Sequence, residues 1–390
     1  MEGTAEKPIL IRLDTANTMA LVVEPSIIYG NPMQDKLNIF HIETGVKDKF
    51  EMLHLRKGRY NLKAKSDCNS WNPTSTSKVS ASEVVVCDYE LEDTMCASEF
   101  DAGCLRNLQG AGTKVHSLQG TQQLSVIEAA RVMAVVESVP DDVARCTWFG
   151  DIDFGTTDYD DAGRTYDLSG LETGEDTKLI AMLNVCNGIW SEIRARVTYG
   201  TMKYVDTNNG TAAGNAMNPD NIVPYLKKLM LEGGTQLRVW NAKGSIEQKP
   251  MFLLQGGLFE AYETYLEQTR TAAAHQFILD GTVIEGVLTF KGRLVVRMDE
   301  WDVFDTEVGR VLPSGYSKTQ RALYVAPKNL VICADVKALK KQGDTGLMIQ
   351  ESPDIRDKGA VNILGNYRLG FGIAYDYLVV AGYNTSETYV

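Results

Sequence analysis

Little in this chain points to chemistry. Its 390 residues include only four histidines, His41, His54, His116 and His275, and none stands at a metal-ligand spacing such as His-Glu-x-x-His. No Gly-x-x-x-x-Gly-Lys-Ser/Thr loop is present to cradle a phosphate, and no Gly-x-Ser-x-Gly elbow to raise a nucleophile. LGFGIAY supplies Gly370 and Gly372 but lacks the third glycine and the following helix of a dinucleotide site. The seven cysteines are odd in number and contain no Cys-x-x-Cys pair. Gaps of 18, 8 and 7 residues separate the four between Cys68 and Cys104, which fits no zinc framework; the reading is reduced thiols in a cytosolic fold.

Long apolar runs are missing as well. The most apolar stretch, 132–136, is far too short to cross a bilayer, and MEGTAEKPIL lacks the basic start and apolar block of a secretory signal. No membrane partner is expected. No basic cluster offsets the net charge of −12, which comes from 39 basic and 51 acidic residues, so sequence-specific binding of nucleic acid is not expected. There is no internal repeat, heptad seam or low-complexity linker. The 44% hydrophobic and 23% charged content is that of an ordinary globular chain able to bury a substantial core.

Short β-prone runs open the chain: ILIRL (9–13), ALVVEPSII (20–28) and LNIFHI (37–42), broken by Pro25, Gly30 and Pro32. Leu124, Ile127, Ala130, Ala134 and Val135 recur near helical spacing and predict a helix that Pro140 ends. A second helical piece then begins with Asp141 and Asp142 in its first turn, where the helix dipole favours acids. The segment 165–197 reads as helix broken near Asn187-Gly188, and NPDNIVPYLKKLMLEGG as a helix opened by Asn218 and Asp220 and closed by Gly233-Gly234. LFEAYETYLEQTRTAAAHQFIL gives a third helix. GVLTFKGRLVVRM (286–298), RALYVAPKNLVICAD (321–335) and NYRLGFGIAYDYLVVAGYN read as strands, the last as a nearly continuous buried one. The class is mixed α+β.

GDIDFGTTDYDDAGRTYD (150–167) is the best lead toward an ion, with Asp151, Asp153, Asp158, Asp160 and Asp161 as oxygen donors. It fails the EF-hand register, because its fifth position is neither Asp nor Asn and no glutamate closes the loop, so it reads as an acidic solvated turn. No metal, cofactor or catalytic residue is assigned.

Most informative is 45–101. Two strand-like runs, 49–65 and 78–91, flank a polar connector containing CNSWNP. Phe50, Met52 and Leu55 give one run partial apolar alternation, and Val84, Val86 and Tyr89 sit among polar residues in the other. A two-stranded hairpin with such sparse cover is marginal in water, so another body must cover it, and a second copy of the chain is a strong candidate.

GVKDKFEMLHL, CNSWNP, EVVVCDYEL and CASEF resemble the front of major capsid proteins of tailed bacteriophages that infect Bacteroidetes, including crAss-like phages. TWFGD (147–151), CNGIWSEI, LTFKGRLVVRMDEWD, LYVAPKNLVICADV and GIAYDYLVVAGY continue the resemblance in the same order. The resemblance implies the Hong Kong 97-like fold, with residues 1–46 as N-terminal arm and 47–100 as the extended E-loop and its base. Residues 101–200 would form the P-domain with its spine helix, 201–349 the A-domain, and 350–390 closing strands that return to the body. It further implies a virion shell of pentamers and hexamers, assembled in the host bacterial cytoplasm around double-stranded DNA. An acidic wall suits such a container, since attraction to phosphate would hinder release. A separate scaffolding protein and a portal are implied partners, and decoration proteins possible ones. The E-loop would lie on the adjacent subunit, burying Phe50, Met52, Leu55 and Trp71, while Arg56, Lys57 and Arg59 meet acidic patches. Lys57, Lys63 and Lys65 could serve covalent crosslinking, but no catalytic acid can be picked out, which favours noncovalent contacts. The alternatives are another shell or virion component (encapsulin-like, portal or tail) and an acidic α+β hydrolase.

Overall fold

The computed structural model describes residues 11–12, 39–56, 78–95, 114–116, 123–125, 141–152, 175–206, 218–241, 244, 246–269, 276–279, 282–285, 288–307, 321–335, 346–351 and 361–383. Among them no helix is long and apolar enough to cross a membrane. The first strands are β1 (Ile11–Arg12), β2 (Phe40–Thr44), β3 (Lys49–Arg56), β4 (Lys78–Val85), β5 (Cys87–Met95), β6 (Lys114–His116) and β7 (Gln123–Ser125). Helix α1 covers 141–149, followed by α2 (Glu175–Leu183), α3 (Ile189–Thr198) and β8 (Lys203–Asp206). Next come α4 (Pro219–Glu232), α5 (Gly234–Val239), β9 (Met251–Gln255) and α6 (Gly256–Gln268). The remainder is β10 (Gln276–Leu279), β11 (Thr282–Glu285), β12 (Leu288–Phe290), β13 (Arg293–Met298), α7 (Asp299–Glu307), β14 (Ala322–Val325), β15 (Leu330–Asp335), β16 (Gly346–Glu351), β17 (Val361–Ile373) and β18 (Val379–Tyr383). The α+β class stands.

Two six-stranded sheets organise these elements. One runs β12-β13-β9-β14-β18-β8; the other runs β1-β16-β17-β15-β2, with β5 also paired to β17. The central strands of the first sheet, β9, β14 and β18, are buried on both faces, which is why they read as unbroken apolar runs. Met251, Leu253, Leu294, Val296, Leu323, Val325, Val379 and Ala381 enter a core shared with the helices α1, α2, α3 and α7 and with the second sheet. Their alternate neighbours Phe252, Leu254, Val295, Ala322, Tyr324 and Val380 enter a second core under α4 and α6. The strand period of two thus sorts one sequence into two cores.

The runs 321–335 and 366–384 each cover two strands rather than one. Each crosses between the sheets: β14 and β18 lie in the first, β15 and β17 in the second. The two crossings are clasped together. Ala326 N–H donates to Leu378 O and Ala374 N–H to Asn329 O. The buried Asn329 side chain accepts from Tyr375 N–H at 2.9 Å and donates to Tyr375 O at 3.1 Å, which satisfies a non-ladder backbone inside the body. Arg196 of α3 adds bonds to Ile373 O and Asp376.

Other expectations are corrected in the same way. The run 286–298 is not one strand but the antiparallel hairpin β12–β13, turned at Lys291 and Gly292, whose φ values of 49° and 71° match the twist of the flanking strands. The run 78–91 breaks at Val86: β4 pairs with β3, and β5 leaves to pair with β17. Leu124, expected in a helix, lies in β7 opposite Val115. Residues 126–140 lie outside the described residues, whereas the helix expected after Pro140 is α1. The break at 187–188 separates α2 from α3, and α4 begins at the expected cap, with Asn218 Oδ1 accepting from Asp220 and Asn221 N–H. The helix closes at Gly233 as expected, with Gly234 opening the short α5, and the HQFIL end of the third expected helix becomes β10.

Three tryptophans centre the first core. Trp148, Trp190 and Trp301 arrive from α1, α3 and α7, and each is nearly inaccessible. Trp301 meets both of the others edge-to-face with ring centroids 5.1 Å apart, the arrangement that sets a positive ring edge against a negative face.

Candidate inter-subunit surface

The hairpin of 45–101 is present as a β3–β4 ribbon in full register from Lys49↔Val85 to Arg56↔Lys78. Its root is rooted in the chain's own body. Phe50 and Met52 are half-buried against Val84, Val331, Cys333 and Ala374, and Ser82 Oγ donates to Ala374 O. Beyond the Met52↔Ser82 rung the ribbon continues for four more pairs, out to Arg56↔Lys78, a further reach of about 13 Å at ~3.3 Å per residue. Phe50 and Met52 therefore already have cover from their own chain, and Leu55 and Arg56 stand farther along β3. Lys57, Arg59 and Trp71 lie outside the described residues, as do Lys63 and Lys65.

Two glycines make the root possible. A Cβ on Gly370 would stand 2.4 Å from Val85 O, and one on Gly372 would stand 2.5 Å from Val84 Cγ2. The GFG of β17 thus admits the end of β4 across its surface, a packing role rather than a ligand loop. Past the crossing, β5 follows β17 for nine rungs, from Cys87↔Leu369 to Met95↔Val361. Arg368 pairs with Asp88 on that ladder.

Behind the root, two segments of the sequence resemblance meet. Gly150 and Gly188 approach so closely that a Cβ on either would lie under 3 Å from backbone oxygens, and Gly188 N–H donates to Gly150 O at 2.7 Å. Asp151, expected in a solvated acidic turn, is instead buried and bonded to Arg194 at 3.2 Å. Its task is to orient α3, which takes it out of any ion site; Asp153, Asp158, Asp160 and Asp161 lie outside the described residues. No group of three or more metal-ligating side chains occurs among the described residues.

The cysteines are a further correction. Cys87 and Cys186 are joined by a disulfide, while Cys146 and Cys333 remain as buried thiols. Sequence spacing had no access to a pair separated by 99 residues. Nor did it find the tryptophan cluster, whose members are far apart in the chain.

One buried acid stands apart. Glu300, in the first turn of α7, finds no hydrogen-bond partner on another described residue for either carboxylate oxygen. Burial, and then the neighbouring Asp299 charge, push its carboxyl up to about 7. The folded state thus holds a proton on Glu300 that the unfolded chain has released above its ordinary value of 4.5, so stability falls as pH rises through the interval from 4.5 to about 7. Glu300→Gln is expected to abolish that fall, gaining about 3 kcal/mol relative to the parent between pH 4.5 and pH 8. Urea denaturation at both pH values measures it, and an equal gap at the two would rule out the buried proton.

No family model and no curated protein matches the chain. Among solved structures, it is similar to the capsid of a native GTA particle, at 11% identity over 99% of this chain and 95% of that one, with a TM-score of 0.47. The capsid of the Myoviridae phage XM1 has 10% identity over 92% and 95%, also with a TM-score of 0.47. The holo-SrpI encapsulin of Synechococcus elongatus has 11% identity over 96% of each chain and a TM-score of 0.45.

Proposed function

We propose that this chain is the major capsid protein of a tailed bacteriophage, a structural subunit without enzymatic activity whose identical copies close into an icosahedral shell around double-stranded DNA. The observation that carries the reading is the β3–β4 ribbon, whose ladder runs from Lys49↔Val85 to Arg56↔Lys78 and pairs with no third strand among the described residues. A two-stranded ribbon has little to bury by itself, so a surface on a neighbouring copy completes it. By register, Leu53↔Ala81 and Leu55↔Val79 follow Lys49↔Val85 and Glu51↔Glu83 on the same row. That row mixes Lys49, Glu51 and Glu83 with the exposed Val85 at the root and is apolar in sequence farther out, as expected for a strand pair with a neighbour to meet.

The rest follows the same logic. The E-loop would be this ribbon with its tip, and α1 would be the described end of the spine helix. The first sheet with α4 and α6 would be the axial domain, around which pentamers and hexamers form. Arg56, Lys57, Arg59 and Trp71 would be the distal contacts, with Leu55 beside them, while Phe50 and Met52 hold the root. Many weak contacts suffice, because closing a lattice multiplies them. A separate scaffolding protein and a portal would complete the assembly in the host cytoplasm, the finished shell residing in the virion.

Light scattering and electron microscopy of the purified full chain test this reading. Closed particles of megadalton mass are expected. A monodisperse monomer that stays monomeric at high concentration, with 49–85 protected from protease, would overturn it.

A further inference from the structure

Cys87 opens β5, and Cys186 sits in the turn between α2 and α3, with the two Cα atoms 5.9 Å apart. Position makes this pair more than a local tie. Val86 N–H closes the ribbon on Asp48 O, so the bridge begins two residues beyond the ribbon's last rung, Lys49↔Val85. Across the ladder Cys87 faces Leu369, the neighbour of the glycine over which β4 passes. The other end is anchored where Gly150 and Gly188 lock α1 to α3.

We propose that Cys87 and Cys186 form a reversible redox staple fixing the root of the ribbon to the helical layer. The proposal goes beyond the capsid reading and holds whether or not the chain builds shells. In the reduced chain the root is held by ladder bonds, by the Phe50, Met52 and Val84 contacts, and by the partly exposed Arg368–Asp88 pair, a kind of pair that contributes little. Root and helical layer can then open separately. Oxidation links them covalently.

With oxidised glutathione as the oxidant, the chemistry balances. The partly buried Cys87, deprotonated, attacks one glutathione sulfur and expels the other glutathione as a thiolate, which takes up the proton. The Cys186 thiolate then attacks the Cys87 sulfur and displaces the second glutathione, which is protonated in turn. Two protein thiols lose two electrons and two protons, and one oxidised glutathione becomes two reduced ones. Exchange with Cys146 and Cys333 is suppressed, because burial pushes their thiols up to about 12.

The test equilibrates the purified full chain in glutathione buffers from fully reduced to fully oxidised, then alkylates, digests and maps it by mass spectrometry, with limited proteolysis of 49–95 in parallel. The expected result is a Cys87–Cys186 peptide pair only toward the oxidised end, and cleavage slower there by about tenfold or more. Cys87→Ser and Cys186→Ser should keep the fast rate in every buffer. The reduced, alkylated parent replaces a variant that does not fold. Two unpaired thiols at the oxidised end, either cysteine bonded elsewhere, or cleavage rates that do not respond to the buffer would each overturn the proposal.

Discussion

A chain from which residues 67–77 are deleted is expected to keep its folded body and lose its shells. The segment, DCNSWNPTSTS, joins the two strands of the ribbon and carries Trp71. Its removal leaves every described rung of β3–β4 and the whole root in place. Shortening a connector by this much changes closure entropy by less than about 1 kcal/mol, so circular dichroism and the melting transition should stay close to those of the parent. Assembly behaves differently. Large aromatic anchors contribute disproportionately at an interface, and a lattice repeats their loss at each copy. The root offers no substitute, since its exposed Lys49, Glu51 and Glu83 ion pairs are of a kind that contributes at most about 1 kcal/mol. Electron microscopy and size-exclusion chromatography distinguish the outcomes. Particles of normal size and yield would show that the ribbon tip has no part in holding copies together.

The ribbon itself was legible because its signal is local. Phe50 and Met52 alternate with charged neighbours, and Val84 sits opposite Phe50 in the observed register. Helix α4 was legible for the same reason, as Asn218 caps it by bonds to residues two and three positions on. What escaped was non-local. The runs 321–335 and 366–384 are apolar on both sides of their crossing points, since each half is buried in one sheet or the other. Hydrophobicity reports burial and not which sheet provides it. Only the Pro327-Lys328 and Asp376-Tyr377 interruptions hinted at a turn, and Lys328 indeed sits at a φ of 59°. Leu124 was misread for a related reason: a few apolar residues near helical spacing also satisfy a three-residue strand. On the contact surface, the root residues were identifiable but not their partner. Phe50 and Met52 looked uncovered because Val331, Cys333 and Ala374 come from hundreds of residues downstream.

Replacing Trp301 by alanine is expected to cost about 3–5 kcal/mol, a large part of the roughly 5–15 kcal/mol that holds a typical folded protein together. Its ring is fully buried where α7 meets α1 and α3, touching Trp148 and Trp190 edge-to-face. Truncation would therefore remove two aromatic pairs and leave a cavity lined by rigid side chains. Collapse around it is restrained, because Phe149 and Phe304 are stacked at 3.9 Å beside it and Arg321, paired with Asp305, lies over Phe149 and Trp190. Trp301→Phe should recover about half of the loss by keeping an aromatic in the cavity. Tyr199→Ala, at a site 82% exposed, should stay within about 0.5 kcal/mol of the parent and serves as the control. Urea denaturation followed by circular dichroism gives all three values. A cost below about 1 kcal/mol for Trp301→Ala would mean that the site relaxes freely, and the three helices would then need another common anchor. If the cost is as large as expected, the tryptophan cluster is the footing on which α1, α3 and, through the Cys186 turn, the base of the ribbon all stand.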